Sequence, residues 1–147
     1  MKRFKTLLIV VIGVFCLTGC GGKKLTCSQS ATEEGMKTNV EVTLKFSGDE
    51  VSNIKMVMDY QAESEELKGS WSMYTGVLDG MFKEMDGKDG VKYSSKADDK
   101  NFKYSLTLDI DPSKVAKEVS ESLDLEDLKG TYDTVKKEAE AAGFTCK

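Results

Sequence analysis

Val40-Glu41-Val42-Thr43-Leu44-Lys45-Phe46, then Ser47-Gly48-Asp49-Glu50, then Ile54-Lys55-Met56-Val57-Met58-Asp59-Tyr60: the reading of this stretch decides the fold. Apolar residues fall at every second position on both sides of a polar turn. In a strand successive side chains point to opposite faces, so each arm buries one face and wets the other. The short connection makes the two arms a hairpin. A second pair follows downstream. Val91–Ser95 reads as a weak strand and 97–101 as a turn. Phe102, Tyr104, Leu106, Leu108 and Ile110 then alternate with Lys103, Ser105, Thr107 and Asp109.

Between the hairpins the period changes. Leu67, Trp71, Tyr74, Leu78, Met81 or Phe82, and Met85 recur every three or four residues, which predicts an amphipathic helix over 64–85. Gly69, Gly76 and Gly80 weaken it by about 1 kcal/mol each against alanine, with a kink expected near Gly69. The run 86–90 holds two glycines and ends the helix. Past the second hairpin, Asp111-Pro112 is a helix-start signal. An acidic connector carries Leu123, Leu125 and Leu128. Thr131 caps a last helix that shows Tyr132, Val135, Ala139 and Ala142 at helical spacing and stops at Gly143. The expected fold is α+β: an antiparallel four-stranded sheet of two hairpins with two main helices packed on it, in the order ββαββα. Residues 28–38 are polar, carry Gly35, and read as a loop entering the first strand.

The amino-terminal end has a different character. Lys2, Arg3 and Lys5 precede a dense apolar run from Thr6 to Leu17, and Leu17-Thr18-Gly19-Cys20 closes it. This is the layout of an export signal, and the run is short of the ~20 residues a permanent span needs. It resembles a bacterial lipoprotein signal with Leu17 to Cys20 as the lipobox. That resemblance implies cleavage before Cys20 and a diacylglycerol thioether on its sulfur. Two or three acyl chains, palmitate among them, at about 0.8 kcal/mol per buried methylene, hold a small domain on a membrane. The expected organisation is a signal peptide over 1–19, a lipidated cysteine and tether over 20–35, and one domain over 36–147. The expected location is the cell membrane of the envelope, lipid-anchored, on the extracytoplasmic side.

Charge and cysteine usage agree with export. Of 147 residues, 21 are basic and 25 acidic, and none is histidine. Loss of Lys2, Arg3 and Lys5 leaves 18 basic against 25 acidic, formally −7. Such a surface works against nucleic acid as a partner. Cys16 leaves with the signal and Cys20 takes lipid, so Cys27 and Cys146 remain. In an oxidising compartment two leftover cysteines point to a bridge. No Cys-x-x-Cys is present, which removes the thioredoxin-like motif.

Candidate sites are few. Met56, Met58, Met73, Met81 and Met85 are soft ligands for copper(I), yet their spacing matches the apolar faces, so a methionine-filled core is the preferred reading. Acidic pairs such as Asp98-Asp99 and Asp109 with Asp111 lack the spaced oxygen pattern of a calcium loop and read as wet surface. Trp71 and Tyr74 either floor an apolar ligand groove or pin the helix to the sheet, and pinning is preferred. No phosphate loop and no nucleophile–base set stands out, so no catalytic residue, metal or cofactor is assigned.

A lipobox, a small lysine-rich strand-and-helix domain and a terminal helix closing on Ala142-Gly143-Phe144 together resemble the YehR-like group of small bacterial lipoproteins. The resemblance implies an α+β fold and no catalytic residues. The expected function is that of a membrane-anchored exported module, not an enzyme, which binds a small ligand or an envelope protein. The alternatives are a structural or envelope-stress protein without a ligand site and, further off, a hydrolase.

Overall fold

The computed structural model describes residues 22–122, 125 and 130–147. The expected leader, Cys20, Leu123 and Leu128 lie outside this set. Six strands and four helices follow in order: β1 (Lys24–Glu33), β2 (Met36–Ser47), β3 (Glu50–Ala62), α1 (Glu65–Gly69), α2 (Trp71–Lys83), β4 (Val91–Asp98), β5 (Lys103–Ile110), α3 (Lys117–Ser122), α4 (Tyr132–Ala141) and β6 (Thr145–Cys146). They build one six-stranded sheet, ordered β4-β5-β3-β2-β1-β6, with every neighbouring pair antiparallel.

This corrects the expected four-stranded ββαββα sheet in strand number and element order. Both expected hairpins exist, as β2–β3 and β4–β5, and the kinked helix is α1 and α2 broken at Ser70. The strands missed are β1 and β6. The segment expected as a tether and entry loop is a strand from Lys24 onward, paired with β2 from Lys24↔Lys45 to Glu33↔Met36. Its upper half, Ser28 to Glu33, is exposed throughout. Nothing there demands apolar alternation, and backbone pairing alone holds it. The signal was the two-residue turn Glu34-Gly35, with φ +48 and +79, a conformation that closes tight hairpins. A Cβ on Gly35 would stand 2.5 Å from the Cβ of Ser64, so the turn packs directly on the start of α1. β6 is two residues long, too short for any period to show.

Why these segments form these elements is local chemistry. Ser64 caps α1 by accepting from the Leu67 N–H at 3.3 Å, with Glu65 and Glu66 in the first turn, where the helix dipole favours acid. Thr131 caps α4 by accepting from the Thr134 N–H at 3.4 Å. Asp111 caps only a turn: its carboxylate accepts from Ser113 N–H and pairs with Lys114 at 2.8 Å. Lys114 and then Ser113 hold that carboxyl down to about 2. In β3 an irregularity opposite Lys45 and Phe46 inserts Ser52, so that Val51 rather than Ser52 faces Phe46.

One face of the sheet is polar. Thr26, Thr43, Ser28, Glu41, Lys55, Asp59, Lys103, Ser105, Thr107 and Asp109 all fall on it by alternation. The other face carries the core: Leu25, Cys27, Val42, Leu44, Phe46, Ile54, Val91, Leu106, Leu108 and Ile110, with Trp71, Leu125 and Val135 from above. Each such side chain contributes about 1.5–3 kcal/mol on burial.

Two devices fix the helices over this face. The Asp79 carboxylate on α2 accepts from Tyr93 Oη at 2.7 Å, Ser95 Oγ at 2.8 Å and Tyr104 Oη at 3.2 Å, and the two phenols meet at 2.6 Å. Phe82 stacks on Tyr93 below it. At the other side Cys27 and Cys146 form a disulfide across the β1–β6 pair, 119 residues apart in sequence. The backbones of Thr26 and Lys147 exchange bonds of 3.1 and 2.8 Å beside it. The chain therefore returns from α4 onto β1 and locks there.

Two outcomes follow. Closing a loop of this length stabilises by about 4–5 kcal/mol on the chain-entropy account, so Cys146→Ser should shift the urea midpoint down by that equivalent. An unchanged midpoint would mean that the bridge is dispensable. The hydrogen bonds from Tyr93, then Ser95, hold the Asp79 carboxyl below its ordinary value. Its contribution is complete above an unfolded value of about 3.9 and is lost as pH falls through the depressed folded value. Unfolding free energy should thus fall less steeply below about pH 4 in Asp79→Ala than in the parent. Equal slopes would remove Asp79 from this role.

Candidate functional site

The sheet is wider than its helical cover. α2 packs against β4, whereas α4 packs against β1 and β6. Four strand spacings separate β4 from β1, roughly 19 Å at 4.8 Å each. Two helices in contact stand about 8–10 Å apart. The middle strands, β3 and β2, therefore lie under neither of these two helices for part of their length, although the short α1 packs against β3. Burial follows this geometry. Leu106 and Leu108 under α2 are wholly buried, and so is Leu25 on β1. Met56, Met58, Val40 and Met36, on the same face between them, are only partly buried. In register they form rows, Val40 beside Met58 and Val42 beside Met56. These rows floor a groove.

One wall is α2. Its inward stripe is Trp71, Thr75, Leu78 and Phe82. Asp79 is tied to β4 and β5 and so marks the flank toward the sheet edge. Met73, Val77 and Met81 recur every four residues on the opposite flank, toward the sheet centre. They are 71%, 57% and 61% exposed. The other wall is α4. Tyr132, edge-on to Phe46 at 5.5 Å, and the buried Val135 fill its first turns against the sheet. Further along stand Ala139, packed against the core, and Ala142, side chains of one methyl each. A cleft of about 450 Å³ remains between them and Cys27, Val42, Leu44 and Phe144, with Glu138 on its lip. It is apolar save for that one carboxylate.

The far end of the floor opens into a second depression of about 490 Å³, lined by Met36, Thr38, Leu67, Tyr74, Ser64 and Ala31 with Glu33, Glu34 and Glu66 on its rim. Volumes of about 300–1,000 Å³ with mostly apolar lining and few polar groups are those of ligand sites, a description that fits the cleft under α4 but not this second, polar depression. A third hollow, about 610 Å³, lies at the opposite end of the sheet among Asp49, Glu50, Pro112, Lys117, Leu125 and Gly130.

The two aromatic residues singled out from the sequence divide. Trp71 is 3% exposed and pins α2 to the sheet. Its indole N–H has no acceptor among the described residues. Tyr74 stacks on Trp71 at 6.0 Å, meets Tyr60 edge-on at 6.5 Å and lines the second depression. Tyr60 sits on the floor, its hydroxyl donating to Met58 Sδ at 3.5 Å, and burial pushes that phenol up. The methionines expected in the core divide too: Met56 and Met58 form the floor, while Met73 and Met81 face solvent. Periodicity assigned the helix position to "Met81 or Phe82", and Phe82 is the inward one. Among the described residues no group of three or more His, Cys, Asp or Glu is placed to hold a metal ion, and no helix is long and apolar enough to cross a membrane.

Neither a family model nor a curated protein matches this chain. Two structures solved in solution by NMR share its architecture. A protein from Streptococcus pneumoniae TIGR4 superposes with a TM-score of 0.56 at 17% identity, over 85% of this chain and 84% of its own. The E. coli YehR protein superposes with a TM-score of 0.62 at 18% identity, over 86% of this chain and 92% of its own. The matched region is most of each chain. Identities this low carry the fold and nothing finer, and they agree with the resemblance drawn from the sequence: the chain has the fold of the E. coli YehR protein.

Proposed function

We propose that this chain is an exported lipoprotein, anchored through an acylated Cys20, and that it binds an amphipathic ligand in the groove between α2 and α4. The observation that carries the binding role is the contrast in burial across one sheet face. Side chains under each helix are buried, whereas Met56, Met58 and Val40 between them are only partly buried. Leaving apolar surface in water at the centre of a domain forgoes stability that one larger residue at Ala139 or Ala142 would recover. Methionine suits such a floor because its flexible, polarizable thioether repacks around different partners. The anchor rests on Lys2, Arg3 and Lys5, the apolar run and Leu17-Thr18-Gly19-Cys20.

Two measurements check these points. Intact mass of material extracted from membranes should show loss of residues 1–19 and added acyl mass on Cys20, and an unmodified Cys20 thiol would sink the anchor. N-phenyl-1-naphthylamine should brighten on residues 21–147. Ala139→Phe, which fills the cleft, should weaken that binding by about tenfold or more while leaving the fold intact. Dye binding indifferent to Ala139→Phe would remove the groove as the site.

A further inference from the structure

We infer that the groove's partner is a basic amphipathic helix, laid between α2 and α4 as the third helix of the layer. The inference deepens the binding role proposed above and rests on it. Its first support is dimension. The roughly 19 Å between β4 and β1 is twice the 8–10 Å at which packed helices stand, so the space left between α2 and α4 is one helix wide. Along β2 the partly buried stretch of the floor runs from Met36 to Val40, roughly 13 Å at 3.3 Å per residue or about two helical turns, and beyond it Val42, Leu44 and Ile54 are buried. A single acyl chain would leave the stripe of Met73, Val77 and Met81 uncovered. A helix lying in the space touches both this stripe and the Ala139–Ala142 cleft. Anchors at i, i+3, i+4 and i+7 are how grooves of this shape read helices.

The second support is charge. Glu33, Glu34 and Glu66 rim one end and Glu138 stands on the α4 lip. None of the four is in an ion pair among the described residues. The nearest lysine on α1, Lys68, is engaged with Glu65 at 2.8 Å and lies over the Phe102 ring. The walls are apolar and the rim is acidic, so the complement is apolar on one face and basic on its flanks. An acidic or neutral helix would bury the same area and meet like charge or none.

The test uses residues 21–147, which contain the whole sheet, core and disulfide. Two fluorescein-labelled 18-residue peptides with identical leucine positions are compared, one carrying lysine and one glutamate on the polar face. The Leu/Lys peptide should bind 1:1 and the Leu/Glu peptide at least about tenfold more weakly. Glu33→Gln with Glu66→Gln should weaken the Leu/Lys peptide and flatten its salt dependence. Met81→Glu, at an exposed position, should weaken it by about tenfold even though it adds attractive charge. That sign separates docking in the groove from general electrostatic adhesion. Equal binding of the two peptides, or Leu/Lys binding strengthened by Met81→Glu, would overturn the inference. Brightening of N-phenyl-1-naphthylamine without binding of either peptide would overturn it and leave the apolar groove standing. Failure of dye and peptides together would remove both.

Discussion

Strand spacing and helix width together set the character of this molecule. Six antiparallel strands at about 4.8 Å present one apolar face that two long helices, each about 10 Å across, do not span. The chain resolves the mismatch by fixing each helix firmly at one side. The Asp79 carboxylate with Tyr93, Ser95 and Tyr104 holds α2 over β4 and β5. The Cys27–Cys146 disulfide and the Thr26–Lys147 backbone pair hold the end of α4 over β1. What is left between them is a methionine floor with small residues on one wall and an apolar stripe on the other. The groove is a consequence of where the helices are tied.

Much of this was legible in the sequence, and the failures have physical causes. Period-two alternation located β2, β3 and β5 because one face of each is buried. Helical spacing found α2 and α4, and Thr131 and Gly143 marked the ends of α4. β1 reads as a loop in the sequence because its upper half has both faces in water, so only backbone pairing and the Glu34-Gly35 turn define it. Sheet order was out of reach, since β5 inserts between β3 and β4 through contacts no local pattern encodes. The same limit applies to the groove. Met56 and Met58 sit on the same alternation as Ile54, and nothing in the sequence says that Ile54 is roofed and the methionines are not. The bridge was legible, because the expected loss of Cys16 and use of Cys20 left two cysteines to pair.

The arrangement along β1 has a bearing on how the domain would meet its surroundings. The chain enters the sheet at Lys24, and the acidic rim around Glu33 and Glu34 is at the other end of the same strand, roughly 30 Å away at 3.3 Å per residue. With an anchor on Cys20, only Gly21, Gly22 and Lys23 intervene before the first sheet pair. The entry end would then face the bilayer and the acidic end would face away from it. A basic helix approaching from outside the membrane surface would meet carboxylates first and the apolar floor after.

The groove depends on the middle of the core face being only partly covered at Met56 and Met58. Methyl NMR of protein carrying ¹³C-methyl methionine and leucine, with a soluble neutral gadolinium chelate as relaxation agent, tests it most directly. The account predicts that Met73 and Met81 methyl signals broaden most, that Met56 and Met58 broaden measurably, and that Leu106 and Leu108 are untouched. Met56 and Met58 signals as protected as those of Leu106 and Leu108 would show that the face is closed and would contradict the account.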